Sequence, residues 1–317
     1  MREALRRWLA SLGGPPELPL TLDRRRIFVL PTAVGLVWGC ALVAMLLTAI
    51  NYSLSLGFAL VFMLAGLGQV ALLHTFRNLL ALELDELPPQ PVFAGQPARI
   101  VIALGNPESR PRAAIMLSMP GAPPVMVDIA PGERRTAELL LPTQRRGWLA
   151  PGRVRLETRY PLGLIRAWSY AQPRRRCLVW PSPEVRRPAL PPADAGLVGD
   201  RAGGDGLDEF FGLRDHRAAD SPRHVAWKAW ARAPDAPLLT KQFEGRGGGE
   251  LWLDFERLPA DLAPEQRIAR LTGWVLDADV AGLQYGLALP GQGLAPAAGP
   301  AQRDEALRRL ALYGLPS

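Results

Sequence analysis

The sequence predicts three parts in series: a hairpin of two membrane-spanning helices, a β-sandwich, and a short α/β segment. Three observations carry this reading. Residues from Ile27 to Phe76 contain no Asp, Glu, Lys or Arg. Residues 78–180 alternate apolar and polar side chains with period two between turn signals. After about residue 250 the pattern becomes strand, helix, strand, helix.

The uncharged block comes first. As one helix rising about 1.5 Å per residue it would extend about 75 Å. The hydrocarbon core is about 30 Å thick and takes about 20 residues, so two helices fit where one or three do not. Asn51-Tyr52-Ser53 supplies the turn, and the spans are expected near 28–49 and 55–75. A cleaved signal peptide fits poorly, because the apolar core is long and a second span follows at once. Arg2, Arg6, Arg7, Arg24, Arg25 and Arg26 precede the first span and Arg77 follows the second. The positive-inside rule then places both flanks in the cytoplasm. Residues 1–26 become a basic cytoplasmic N-terminus and 27–76 the hairpin. Gly35 and Gly39 form a GxxxG pair. It is read as close packing between the spans, with a dimer seam, and so a homo-oligomer, as the alternative.

Charge is uneven along the chain. The net charge is +7, with +3 in residues 1–76, +7 in 77–180 and −3 in 181–317. Placement of the most basic part beside an anionic leaflet is favourable. No basic run is interleaved with aromatics, so nucleic acid is not expected as a partner. Two cysteines exclude a disulfide scaffold, and three histidines leave little for a histidine-rich metal centre.

In residues 78–180, Leu80, Leu82 and Leu84 oppose Glu83 and Asp85. Ile100, Ile102 and Leu104 repeat the pattern, as do Val125, Val127 and Ile129, then Val154, Leu156 and Thr158. Asn106-Pro107, Pro131-Gly132 and Pro151-Gly152 separate the runs. Short strands at such spacing suggest about seven strands in an immunoglobulin- or fibronectin-like layout. Residues 181–207 hold five Pro and five Gly and are expected to form a linker.

Residues 206–244 concentrate the chemistry. Ser221-Pro222 reads as a helix start, a hydroxyl cap followed by proline at the first helical position. The helix is expected to run to about Arg232, with Trp227 and Trp230 on one face. Asp208, Glu209, Arg214, Asp215, Arg217, Asp220 and Arg223 form a dense charge mixture that is expected to pin a loop by ion pairs. The alternative is a hydrolase site in which Asp215 with His216, or Asp220 with His224, orients a general base. No Walker loop, His-Glu-x-x-His, Cys-x-x-Cys or Gly-x-Ser-x-Gly accompanies them.

This stretch resembles bacterial domain-of-unknown-function family 58. The family pattern runs Glu-Phe-x-x-Leu-Arg-x-Tyr, then Gly-Asp-x-x-Arg-x-Ile-x-Trp-x-x-Ser-Ala-Arg, then Leu-x-Val-x-x-Phe. Glu209, Phe210, Leu213, Arg214, Asp220, Arg223, Trp227, Ala231, Arg232, Leu238 and Phe243 match it. His216, Ala219, Val225 and Trp230 stand where the family has Tyr, Gly, Ile and Ser. The resemblance implies an inner-membrane protein encoded beside a MoxR-type AAA+ ATPase, often with a transglutaminase-like membrane protein. It implies no known reaction.

The resemblance also implies that residues 208–317, which begin with this motif, are a truncated von Willebrand factor A-like segment. Such domains hold a divalent ion on an Asp-x-Ser-x-Ser loop. Here Asp254-Phe255-Glu256-Arg257-Leu258 keeps only the aspartate, so Asp254 is a remnant and neither metal nor cofactor is expected. In this segment Leu251, Leu253 and Phe255 mark a strand, Pro264 opens a helix, Leu283 to Leu289 is a second strand, and Gln302 to Tyr313 a last helix. The order suggests a parallel sheet with an edge to be covered.

The expectation is a membrane-anchored, non-catalytic interaction or assembly factor. It would act with the MoxR-type ATPase in maturation or stress-proofing of envelope proteins. Glu209, Phe210, Arg214, Asp215, Asp220, Arg223, Trp227, Lys228 and Arg232 are the docking candidates. The cytosol-facing hydrolase and a structural subunit of an envelope complex are the alternatives.

Overall fold

The computed structural model describes residues 16–192, 209–215, 239–244 and 251–315, with backbone alone for 209–215 and 239–244. They fall into two compact units, 183–310 and the rest.

The first unit contains a pair of antiparallel sheets around one core. A four-stranded sheet has the order β1-β3-β5-β8: Leu20–Thr21, Glu83–Glu86, Ala98–Gly105 and Arg134–Leu141. A five-stranded sheet has the order β2-β11-β10-β6-β7: Phe28–Pro31, Ile165–Ala171, Val154–Thr158, Arg112–Met119 and Ala122–Ile129. Alternation decides which side chains face inward. Ile100, Ile102 and Leu104 from the first sheet meet Ile115, Leu117, Val154 and Leu156 from the second. A third, smaller sheet joins β4 (Val92–Phe93), β12 (Cys177–Trp180) and β9 (Gly147–Leu149). Burial raises the Cys177 thiol above its ordinary pKa, which keeps it a protonated, unreactive core group.

Residues 78–180 supply ten strands rather than about seven, seven in the two large sheets and three in the small one; β1 and β2 come from ahead of the helices. Leu18, Leu22 and Ile27 enter the core. β1 pairs with β3, and β2 pairs with β11 from Phe28↔Trp168 to Pro31↔Ile165. Residues 16–31 are therefore part of the sandwich rather than a free basic tail. The first helix begins at Ala33, not near 28, because Phe28–Pro31 is committed to a sheet. The run is uncharged there for a second reason: Phe28 stacks on Trp168 with ring centroids 5.7 Å apart, and Ile27 is buried.

Helices α1 (Ala33–Asn51) and α2 (Ser55–Leu79) are both long and apolar enough to cross a membrane. Val37, Val43 and Leu47 on α1, and Leu56, Phe62 and Val70 on α2, are exposed. A soluble protein rarely leaves so much contiguous apolar surface uncovered. The predicted turn is in place. Tyr52 donates its N–H to Thr48 O (3.0 Å), Ser53 takes a positive φ of 51°, and Leu54 donates to Ala49 O (3.0 Å).

The two helices do not pack against each other through Gly35 and Gly39. A Cβ on Gly39 would meet nothing within 4 Å. A Cβ on Gly35 would overlap the carbonyl oxygen of Leu164, in the β10–β11 loop of the sandwich. Small residues at the helix–helix contact are Gly57, whose Cβ would lie 3.0 Å from that of Ala49 beside the turn, and Gly68, whose Cβ would lie 3.7 Å from Trp38 Nε1.

In the second unit, β15 (Leu251–Asp254) pairs parallel with β16 (Tyr285–Leu289), joined through α3 (Pro264–Val280). Pro264 occupies the first turn of α3, and Gln266 Oε1 accepts the Ala263 N–H at 3.1 Å. Ile268, Leu271 and Val275 form the predicted buried stripe. The sheet is mixed, not purely parallel. A hairpin at Gly291 (φ 78°) returns the chain as β17 (Gln292–Ala297), antiparallel to β16. Helix α4 (Pro300–Leu312) follows, and its buried Gln302 donates to Tyr285 O (2.8 Å) and Ala295 O (2.9 Å).

Candidate functional site

The motif is divided between described and undescribed residues. Glu209, Phe210, Arg214 and Asp215 lie on β13 (Glu209–Asp215), which pairs antiparallel with β14 (Leu239–Glu244). The register is Glu209↔Glu244, Phe210↔Phe243, Leu213↔Lys241, Arg214↔Thr240 and Asp215↔Leu239, with an irregularity between Phe210 and Gly212. Phe210 and Phe243, two of the positions that carry the resemblance, are thus direct cross-strand partners. The chain that leaves the ladder at Asp215 re-enters it at Leu239, the residue opposite. His216, Asp220, Arg223, His224, Trp227, Lys228 and Arg232, with the predicted 222–232 helix, lie outside the described residues.

Asp254 ends β15. Its Oδ1 accepts the Glu256 N–H at 2.9 Å, and its Oδ2 lies 3.5 Å from Arg257 Nε. The carboxylate is engaged by its own loop. Among the described residues no group of three or more His, Cys, Asp or Glu could hold a metal ion. Burial, with Asp279 nearby, pushes the Tyr285 phenol up to about 12, so it stays protonated at neutral pH.

The part of the presumed linker that is described lies against α3. Glu184 accepts from Arg270 Nε (2.8 Å) and Nη2 (3.1 Å), and Arg187 forms a forked pair with Asp277. Trp274 Nε1 donates to Pro188 O at 2.9 Å. Gly273 makes room for this strap, since a Cβ there would lie 2.6 Å from Arg187 Nε.

The strap is expected to loosen in acid. The Arg270 hydrogen bond, then the charges of Arg270 and Arg187, hold the Glu184 carboxyl below its usual range. A depressed folded pKa contributes stability above the unfolded value of about 4.3, and that contribution disappears as pH falls through the folded value. Glu184→Gln should therefore be less stable than the parent at neutral pH and converge with it in acid. Urea midpoints against pH check this; a constant offset would rule it out.

The densest buried polar group was not legible as a motif. Arg112, on β6, is 2% exposed. Its Nε donates to Asn106 Oδ1 (2.8 Å), and Nη1 donates to Arg77 O (2.8 Å) and Asn78 O (3.0 Å) at the end of α2. Nη2 lies 3.7 Å from Glu108. Burial lowers the Arg112 pKa, and Glu108 opposes that shift. Asn78 donates to Ala113 O (2.7 Å) and Thr158 Oγ1 (2.8 Å) and accepts from Ala113 N (3.2 Å). A cation on the last carbonyls of a helix satisfies acceptors that have no partner within it.

Two threonines complete the junction. Thr75 of α2 donates to Tyr160 O at 2.7 Å. Thr32 caps α1 by accepting from Gly35 N (3.1 Å), while its Oγ lies 2.7 Å from Gly163 O and its N–H donates to Leu164 O at 2.9 Å. Both helix bases are thereby fastened to one loop of the sandwich. In the sequence only Asn106-Pro107 hints at this, and as a turn.

No protein-family model matches this chain, and no curated protein matches it.

Proposed function

We propose that this chain is a membrane-anchored, non-catalytic docking factor related to domain-of-unknown-function family 58. Its client-facing element is the motif closed by β13 and β14. The reading rests most on one observation. Asp215 and Leu239 are register partners, so the segment carrying Asp220, Arg223, Trp227, Lys228 and Arg232 begins and ends at one point on a two-stranded stalk. A segment rich in Arg and Trp suits recognition of another protein, since those residues dominate binding hot spots. The partner would be a MoxR-type AAA+ ATPase, with a transglutaminase-like membrane protein in the same assembly.

In this reading α1 and α2 span the bacterial inner membrane as a hairpin. Both flanks and the two folded units are cytosolic, in keeping with Arg24, Arg25 and Arg26 ahead of α1 and Arg77 in the last turn of α2. The sandwich would have an immunoglobulin- or fibronectin-like layout. The β15–α3–β16 unit would be a reduced von Willebrand factor A-like fold, with Asp254 a remnant of its ion loop. The test is affinity capture of the full chain in detergent. It should recover an AAA+ ATPase, and Arg223→Ala with Trp227→Ala should reduce recovery about tenfold or more with an unchanged melting temperature. Capture without any AAA+ protein would overturn the proposal.

A further inference from the structure

The β10–β11 loop carries exposed apolar side chains at one particular height. Tyr160 is 44% exposed and Leu162 47%, with Pro161 between them also exposed. Leu30 and Pro31, the last residues of β2, are exposed beside it through the pairing Pro31↔Ile165. Single exposed apolar residues are ordinary on any protein surface. Position makes this set different.

The hydrogen bonds give the loop its level along the helices. Thr32, bonded to Gly163 and Leu164, is the cap from which α1 starts; Thr75, bonded to Tyr160, lies one turn before α2 ends. Helix α1 has 19 residues, which span about 28 Å. Counted from Ser55, Thr75 is about 30 Å along α2. Both distances equal the hydrocarbon thickness of about 30 Å. With the turn at one boundary, Thr32 and Thr75 reach the other together, and the loop lies in that plane. Tyrosine is enriched at this depth, where its ring is in the apolar layer and its hydroxyl among headgroups.

Charge agrees with the placement. His74, Arg77, Arg110 and Tyr160 line one shallow cleft at the base of α2. Arg159 adjoins it, 2.9 Å from Glu157, and Glu108 lies 3.4 Å from Arg110. Basic groups exceed acidic ones around the apolar tip, as a phosphate-bearing leaflet surface requires.

We infer that the loop from Tyr160 to Leu164 is a third membrane contact. Tyr160, Pro161 and Leu162 enter the interfacial layer of the leaflet, while Arg77, Arg110 and Arg159 meet anionic lipid phosphates. This inference rests on the reading that α1 and α2 span the bilayer. Its consequence is that the sandwich is held against the membrane surface by its own side chains as well as tethered to it.

The test places an environment-sensitive fluorophore on single cysteines in the full chain carrying Cys40→Ala; Cys177 is fully buried. The sites are Leu162→Cys, Val43→Cys midway along α1, and Met126→Cys on the exposed face of β7. The protein is reconstituted in phosphatidylcholine–phosphatidylglycerol vesicles containing lipid spin-labelled just below the headgroup. Quenching at residue 162 should exceed that at 126 by roughly threefold, with 43 reporting the apolar interior. Equal, water-like signals at 162 and 126, with 43 in the bilayer, would overturn the loop contact alone. A water-like signal at 43 would instead overturn the spanning reading and this inference with it.

Discussion

Gly35→Ala should lower the stability of the detergent-solubilised protein by roughly 2–3 kcal/mol, the scale of a forced overpacking. Two effects oppose each other at this position. Alanine in place of glycine inside a helix gains up to about 1 kcal/mol. The added methyl, however, would overlap the Leu164 carbonyl oxygen and lie 2.9 Å from its carbonyl carbon. Backbone atoms cannot rotate out of the way, so the β10–β11 loop must shift. A shift weakens the 2.7 Å contact of Thr32 with Gly163 O and the 2.9 Å bond from Thr32 N to Leu164 O. Gly39→Ala is the internal control, because its Cβ would meet nothing within 4 Å. It should be neutral, or stabilising by a few tenths of a kcal/mol to about 1 kcal/mol. Melting temperatures of the two variants measured side by side decide the matter. Equal values would show that the loop does not rest on α1.

Arg112→Met should be the most damaging single change at the junction, costing about 3–5 kcal/mol. The side chain volumes are similar, so the loss is electrostatic rather than steric. The carbonyls of Arg77 and Asn78 lose the guanidinium donor, and Asn106 Oδ1 keeps only the 3.3 Å bond from the Glu108 N–H. Glu108 loses the buried one of its two cationic neighbours and keeps the exposed Arg110. Buried acceptors without donors each carry a desolvation cost of about 1–3 kcal/mol. Arg112→Lys should recover only part of the loss, since an ammonium group cannot reproduce the fork that serves both a helix end and an asparagine. Urea titration of the three proteins reports the order. A lysine variant as stable as the parent would mean that charge alone holds the junction.

These two positions mark where the sequence is readable and where it is not. Local periodicity was enough for Ile100, Ile102 and Leu104, and for Val154, Leu156 and Thr158, because in a strand the inward set is fixed by every second residue. Pro264 as a helix start and the stripe Ile268, Leu271 and Val275 were equally local signals. The role of Phe28–Pro31 was not legible. Its partner Ile165–Ala171 is remote in sequence, and four uncharged residues before an apolar helix look like more of the helix. β17 was hidden for the opposite reason: Gln292–Ala297 is short and rich in Gly, Ala and Pro, residues with little strand preference. Its evidence is the pairing with β16. Arg112 reads as one more arginine among many until Asn78 and Asn106 are seen beside it. Of the motif, the paired aromatic positions Phe210 and Phe243 come together as strand partners, whereas Asp220, Arg223, Trp227, Lys228 and Arg232 lie outside the described residues.

The chain order of the sandwich has a bearing on its biogenesis. β2 precedes both apolar helices, and the strand it needs, β11, follows them, so that Thr32 and Gly163, 131 residues apart, must meet. Contacts of such long sequence separation form late, since a large loop must close before they reward it. During synthesis β2 waits unpaired while the helices and most of the sandwich are made. On the reading that α1 and α2 cross a bilayer, the nascent chain can hand its greasy hairpin to the insertion machinery before any closed β-structure stands in the way, and the sheet seals only once that hand-over is complete.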